Sequence, residues 1–578
     1  MSFPDGSPPR LRIVLLALIL TGLWGGVTVR LYALQIMRHH ELGSRAEGQY
    51  GRRTPLTARR GTIYDRSGRA LVISREAASV FAHPGSVEDP AGTAARLAQT
   101  LGLPGRDIRA KLRTDQPFVW IARQVDPERA EAVAKLNLPG VGLVPEGKRY
   151  YPKKHLAAHL VGFVGVDQRG LEGLELAYDH LLTGGPRSFS SLVDARGRIV
   201  FRESEESRPG ADLFLTIDEV IQHVAERELE AAVRRWGARA GTVVAMDPAT
   251  GEILALANAP DFDPNAFASA PPALRRNRAL TDPYEPGSAF KLVLAAAALE
   301  EGLVRPDDLF YGEEGVIEVA GVKIRDHERH GWMTFRDVMA FSSNVGAVKV
   351  GMKVGKDRFY NYITGFGFGG PTGVDLPGES RGVIRRPRHW SGLSLGALSI
   401  GHEVAVTPIQ LAAAMSVVAN GGYLVRPYVL RAVRHPDGRI EETRPFVIRR
   451  VVSSTTARTL TAMLGEVVER GTGQAAALTG YRVAGKTGTA QKLDPDTGTY
   501  SRNKVVAFFV GFVPAEDPRV AIVILIDEPQ GFAWGGSVAA PIFQAIARET
   551  LHYLEIPPAA PRVERVARMT NEASARAH

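Results

Sequence analysis

From Ile13 to Val29 the chain carries no charge and is mostly apolar, within the stretch "LRIVLLALILTGLWGGVTVRLYALQIM". At the helical rise those residues span roughly 26 Å, enough for a bilayer core. The run predicts one membrane span over 13–36, an uncleaved signal anchor behind a cytoplasmic tail, 1–12. The rival is a cleaved signal peptide, but no small-x-small cleavage site follows closely. Arg10 and Arg12 favour a cytoplasmic N-terminus, whereas Arg30, Arg38 and Arg45 beyond the run blur the charge rule. Charge alone leaves the orientation undecided.

The chain has 578 residues, too many for one ordinary core, so two or three folded units are expected. Its formal net charge of +9 suits an anionic partner. Lys and Arg are scattered and no zinc-finger or aromatic RNA-binding pattern occurs, which disfavours nucleic acid and fits a polyanionic envelope better. With no cysteine, disulfides, thiolate metal sites and a cysteine nucleophile are all excluded.

Beyond the span, "RRTPLTARRGTIYDRSGRALVIS" (52–74) is polar, with strand-like alternation after Gly61. "AGTAARLAQTLGL" and "DPERAEAVAKLNL" have helical spacing between about 92 and 137. "RYYPKKHLAAHLVGFVGVDQRGLEGLELAYDHLLTG" closes that region, and "RESEESRPGAD" (202–212) reads as a linker. A first domain is thus expected over 45–205 and a larger one over 210–555, with a flexible tail over 556–578. "GTVVAMDPATGEILALANAP" (241–260) reads as a β-hairpin. "YRVAGKTGTAQK", "VVAFFVGFVP" and "RVAIVILIDEP" read as three more strands. About 200 residues of mainly helical pattern lie between, so the sheet is expected to take strands from both ends of the domain around a helical insert.

That insert opens with "YEPGSAFKLVLAAAALEEG" (284–302), an apolar helix with Ser288 and Lys291 one turn apart at its start. Free N–H groups and the dipole there favour developing negative charge. A lysine in apolar surroundings is costly unless paired or neutral, and a neutral amine can take a proton from a hydroxyl. The pair reads either as nucleophile and base or as an N-cap serine with a snorkelling lysine. Ser501 and Lys504 share the spacing in a polar connection and are assigned no chemistry. "MAFSSNVGAVKVGM" places Ser342, Ser343 and Asn344 between two helical runs, and "VAGKTGTAQK" places Lys486, Thr487, Gly488 and Thr489 on a strand. Gly488 there leaves room for a substrate backbone.

In this order, S-x-x-K, S-x-N and K-T-G-T resemble the serine acyltransferases of the penicillin-binding protein and β-lactamase fold. "RRGTIYDRSGRALV", "RYYP", "AAHLVGFVG", "LTIDEVIQ", "VTPIQLAAA" and "GGSVAAPIF" extend the resemblance to class B penicillin-binding proteins. The resemblance implies an α+β, multidomain protein: a transmembrane helix, a pedestal of the class B dimerisation type, and a transpeptidase domain with a five-stranded antiparallel sheet flanked by helices. "GFVGVDQRGLEGLELAYDHLLTG" is more similar to the cell-division (FtsI-like) member than to the elongation member. No glycosyltransferase region precedes the pedestal, which implies a monofunctional enzyme.

By this resemblance Ser288 attacks the penultimate D-Ala carbonyl of a peptidoglycan stem peptide, Lys291 takes its proton, and a neighbouring stem peptide resolves the acyl-enzyme into a crosslink. Ser342 relays a proton to the leaving amine and Asn344 bonds the substrate amide. Lys486, Thr487 and Thr489 hold the terminal carboxylate. The backbone N–H groups of Ser288 and Thr489 form the oxyanion hole. No metal or organic cofactor is implied. β-Lactams are expected to acylate Ser288. The implied partners are a membrane-embedded glycosyltransferase of the shape, elongation, division and sporulation (SEDS) family and other divisome proteins. Residues from about 40 onward are expected outside the cytoplasmic (inner) membrane.

The alternatives are an elongation-specific enzyme, a β-lactamase or β-lactam sensor, and a non-catalytic activator scaffold. No class A type glutamate motif is present, and all three motifs are intact. "RDHERHGW", with Asp326, His327, Glu328 and His330, lacks the H-E-x-x-H zinc arrangement and reads as a solvated loop. His402 and Glu403 stand where relatives usually carry other polar or small residues, possible cleft linings with no catalytic role. Arg60, Asp65 and Arg149 read as pedestal salt-bridge or interface residues.

Overall fold

The computed structural model describes residues 9–42, 52–57, 59–193, 199–204, 208–493, 498–531 and 534–558. Most of the tail expected over 556–578 lies outside them. Contacts divide the chain into two compact units. One comprises Met1–Arg59, Glu76–Lys148 and Gly184–Arg208; the other comprises Arg60–Arg75, Arg149–Thr183 and Pro209–His578. Arg60–Arg75 and Arg149–Thr183, read from sequence as pedestal, therefore make their contacts within the larger unit.

In the first unit a helix over Pro9–Tyr32 continues into a π turn, Ala33–Met37. Arg10–Met37 is long and apolar enough to cross a membrane. Asp89 caps helix Pro90–Leu101, which ends at Gly102 in a left-handed conformation. Leu97, Leu101, Ile108, Leu112, Ile121 and Val133 form this unit's core. The helical spacing seen between 92 and 137 is interrupted by a strand, Val119–Val125, paired with Ala70–Ala82. A short apolar run has the same composition in a strand as in a helix turn, and pairing decided this one.

The larger unit is built on five antiparallel strands: β1 (Ala240–Met246), β2 (Ile253–Ala259), β3 (Ala484–Leu493), β4 (Tyr500–Val513) and β5 (Val520–Asp527). Their order is β2-β1-β5-β4-β3, which leaves β3 at an edge. Both faces are covered, so the strands read as continuous apolar runs such as "VAIVILI". Ile522, Ile524 and Ile526 face α1 (Glu219–Arg235) and the C-terminal helix Gly535–Tyr553. Ala521, Val523 and Leu525 face α2 (Lys291–Glu300), α3 (Asn344–Val354) and α4 (Pro408–Ala419). The period-two alternation of strand side chains thus divides two cores. The insert also contains a small hairpin, Val316–Val319 with Val322–Arg325, that the helical pattern did not reveal.

Arg60 and Arg149 converge on Glu175 in this unit, Arg60 Nη2 at 2.7 Å and Arg149 Nε at 2.5 Å. Asp179 takes Arg60 Nη1 at 2.6 Å. Asp65 differs from the salt-bridge reading, because its carboxylate accepts the N–H groups of Ser67 and Arg69 and closes a turn.

Candidate active site

Ser288 stands in a 3₁₀ turn, Gly287–Phe290, that feeds directly into α2. Gly287 has φ +52°, and a β-carbon there would lie 2.5 Å from Thr489 O. A β-carbon on Gly488 would meet Pro286 O at 2.7 Å. The two glycines let the serine turn press against edge strand β3. This turn occupies the position a β-carbon on Gly488 would take, while Gly488 itself also lines the cleft. In an extended strand a residue's N–H and C=O point the same way. Thr489 N–H therefore faces the turn that bears Ser288.

Lys291, the first residue of α2, is fully buried and donates from Nζ to Ser342 O at 2.6 Å and Asn344 Oδ1 at 2.8 Å. Ser342 Oγ lies 3.4 Å from that amine and accepts from Lys486 Nζ at 2.9 Å, so one hydroxyl bridges two buried lysines. Ser288 Oγ has no hydrogen-bond partner among the described residues. Ser342 has φ +59°, a left-handed conformation that costs a non-glycine residue free energy and that the surrounding bonds maintain. Asn344 Nδ2 donates to Arg325 O at 2.8 Å, so its amide is bonded on both sides. Thr487 Oγ1 pairs with Thr472 Oγ1 at 2.6 Å, and Thr489 Oγ1 accepts Gly535 N–H at 3.0 Å.

Burial lowers Lys291 to a pKa of about 7, with Asp326 pulling the other way. Burial, followed by the charge on Lys291, takes Lys486 well below the usual lysine range. Desolvation is the main cause for both.

These groups open on a cleft of about 680 Å³, whose walls include Ser288, Ser342, Asn344, Thr487, Gly488 and Thr489. The loop read as solvated supplies part of the wall: His327 packs edge-to-face on Trp534 at 4.0 Å, and His330 stacks with Phe341 at 5.8 Å. Asp326 of that loop also reaches the cleft, as do Thr472 and Arg470, which no local pattern marked. His402 lines it, with Nδ1 3.0 Å from Glu285 Oε2, whereas Glu403 turns to accept Ser394 Oγ at 2.6 Å. Ser501 accepts the N–H groups of Asn503 and Lys504 in β4, local bonding unrelated to the cleft. No group of three His, Asp or Glu side chains suited to a metal occurs among the described residues.

The penicillin binding protein transpeptidase domain family matches residues 241–548, and the penicillin-binding protein dimerisation domain family matches 55–215. Stage V sporulation protein D of Bacillus subtilis is 36% identical over 552 residues, covering 93% of this chain and 85% of that protein. Peptidoglycan D,D-transpeptidase FtsI of Escherichia coli K12 is 36% identical over 513 residues, covering 87% and 85%. Among solved structures, penicillin binding protein 3 of Mycobacterium tuberculosis complexed with aztreonam is similar at a TM-score of 0.70 and 31% identity, covering 88% of this chain and 99% of that one. With a serine-lysine cleft at the edge of a five-stranded sheet, both domain families matched and such likeness along most of its length, the chain belongs to the class B penicillin-binding proteins and is a peptidoglycan D,D-transpeptidase.

Proposed function

We propose that this transpeptidase crosslinks stem peptides during septal wall synthesis, anchored in the cytoplasmic membrane by the helix at Arg10–Met37 with its catalytic domain outside. The observation that carries the catalytic reading is Ser342 Oγ standing between Lys486 and Lys291 beside the Ser288 turn. Two N–H groups of Lys291 are committed to strong acceptors, Ser342 O and Asn344 Oδ1. A neutral amine so held keeps its lone pair for a third direction, and a pKa of about 7 makes the neutral form abundant at working pH.

In this reading Lys291 takes the Ser288 proton as Oγ attacks the penultimate D-Ala carbonyl. The oxyanion is received by the N–H groups of Ser288 and Thr489, and Ser342 passes a proton to the departing D-Ala amine. Lys486, Thr487 and Thr489 hold the terminal carboxylate, which also returns Lys486 to its charged form. Asn344 has one amide hydrogen left for the substrate once Lys291 and Arg325 are served. An amine from a neighbouring stem peptide then attacks the ester, and β-lactams stop at the acyl stage.

Likeness to FtsI supports the septal role, with a SEDS-family glycosyltransferase and divisome proteins as partners. Likeness to a sporulation protein is equal in identity. Depletion in growing cells separates the readings: filamentation supports septal work, rounding supports lateral wall work, and a defect confined to sporulation supports the third. Ser288→Ala should abolish fluorescent-penicillin labelling and crosslinking while partner capture persists; a labelled variant would refute the nucleophile assignment. Protease added to spheroplasts should digest the catalytic domain, and full protection would overturn the orientation.

A further inference from the structure

Asp326 follows the hairpin Val316–Arg325, outside all three motifs, and is bonded to the middle one 17 residues on. Its Oδ2 accepts Ser343 Oγ at 2.7 Å, and its Oδ1 accepts the backbone N–H groups of Asn344 and of Val345, the latter at 3.0 Å. Those N–H groups belong to the first turn of α3, where unsatisfied donors and the helix dipole both favour a carboxylate. The residue before, Arg325, accepts Asn344 Nδ2 through its carbonyl. The hairpin end therefore grips the turn in which Ser342 is held at φ +59° and from which Asn344 reaches Lys291. Asp326 also lines the cleft.

We propose that Asp326 is a positioning residue of the transpeptidation site, clamping the Ser342–Asn344 turn and balancing the positive charge of Lys291. The proposal rests on the reading of Lys291 as base. Two lysines face one another in a desolvated space, and a second positive charge there is expensive. Lys486 on β3 and His327 beside Asp326 face Lys291 as the other titratable groups, and Glu328, His330, Arg470 and His402 stand further along the cleft walls. From α3 and the turn before it, Lys291 meets only uncharged groups, Ser342 and Asn344. Burial lowers His327, which keeps it neutral around pH 7. Asp326 is thus the anion that opposes the loss of the proton from Lys291. A base whose proton affinity falls too far stays neutral but becomes a poor proton acceptor, so the carboxylate keeps Lys291 near working pH.

The test is the pH dependence of second-order acylation by fluorescent penicillin, measured on the full chain in detergent. Asp326→Asn should move the acid-limb midpoint down by about half to one pH unit, with a plateau roughly tenfold or more lower. Asp326→Glu keeps the charge but displaces the clamp, so it should lower the plateau and leave the midpoint in place. If Asp326→Asn loses its fold by circular dichroism, Asp326→Ser replaces it, with a hydroxyl acceptor and no charge. A neutral variant with a lower plateau but the wild-type midpoint would reduce Asp326 to a helix cap and overturn the proposal, as would wild-type behaviour. Lys291→Arg, run in parallel, tests the base separately: wild-type labelling in that variant sinks the base reading itself.

Discussion

Arg60 and Arg149 on the one hand, and Lys291 and Lys486 on the other, are four cationic side chains buried in the same unit, none more than 5% exposed. The arginines are met by carboxylates, Glu175 and Asp179, at 2.5 to 2.7 Å. A guanidinium cannot shed its proton, so its buried charge is met by carboxylates and, here, also by the carbonyls of Gln168 and Gly61. Neither lysine has an ion-pair partner among the described residues, and both have lowered proton affinity. An amine neutralises by losing its proton, and a buried neutral amine is a base. Residue type therefore separates a structural cation from a chemical one, although both carry the same formal charge in sequence.

The hardest blow to that contrast is an exchange of kind. Lys291→Arg keeps a cation in the cleft but removes the titration, and acylation should fall by roughly 10⁴-fold or more, about 5 kcal/mol in the barrier. Fluorescent-penicillin kinetics measures it, and circular dichroism checks that the fold persists. The converse change is at Glu175, where Gln leaves Arg60 and Arg149 short of a negative charge. We expect Glu175→Gln to destabilise the folded state by about 3 kcal/mol, read from urea unfolding, with normal labelling of the fraction that remains folded. Loss of labelling without loss of stability would mean that the arginine cluster serves chemistry after all.

His159 sharpens the comparison as a third mode of burial, a base kept neutral without catalytic use. Its Nε2 bonds Leu274 O at 2.7 Å, and burial lowers its pKa from 6.5 to about 4. Between those values the unfolded chain binds the proton more readily than the folded one, so stability present above pH 6.5 is lost as pH falls towards 4. Glu226, raised to about 7 by burial, acts with opposite sign, gaining stability as pH falls. The difference between wild type and His159→Gln isolates the imidazole. The wild type should lose roughly 2 to 3 kcal/mol more than the variant across that window, measured by urea unfolding at successive pH values.

Edge strand β3, "AGKTGTAQKL", was marked by its small and β-branched residues, whereas the central strands of the sheet were legible because they carry long apolar runs such as "VAIVILI", which a sheet covered on both faces accepts. The helix start at Ser288 was legible for the same reason: "PGSAFK" ends a polar turn and begins an apolar face. Val119–Val125 was not, because a seven-residue run does not declare its pairing. "RDHERHGW" was legible as a loop, and His327, Glu328 and Arg329 are exposed, but the bond of Asp326 to a helix start 17 residues on was not, since a carboxylate looks the same in sequence whether it meets water or a helix. Burial is what lowers the proton affinity of Lys291, and burial is a property of the packed fold that no spacing of lysines in the sequence displays.

What the sequence by itself determined is the set of reacting types and their order: a serine and lysine one turn apart, a second serine, an asparagine and a strand-borne lysine. Such spacings are local, and helix and strand periodicity translate them directly into faces. Only the tertiary structure decided which of these groups touch. Ser342 Oγ meets Lys486 across 144 positions of chain. Asp326 grips the turn from a hairpin, and Gly287 and Gly488 let that assembly close. Burial, which turns Lys291 from a surface cation into a base, is a property of everything packed around it, and no local stretch of residues contains it.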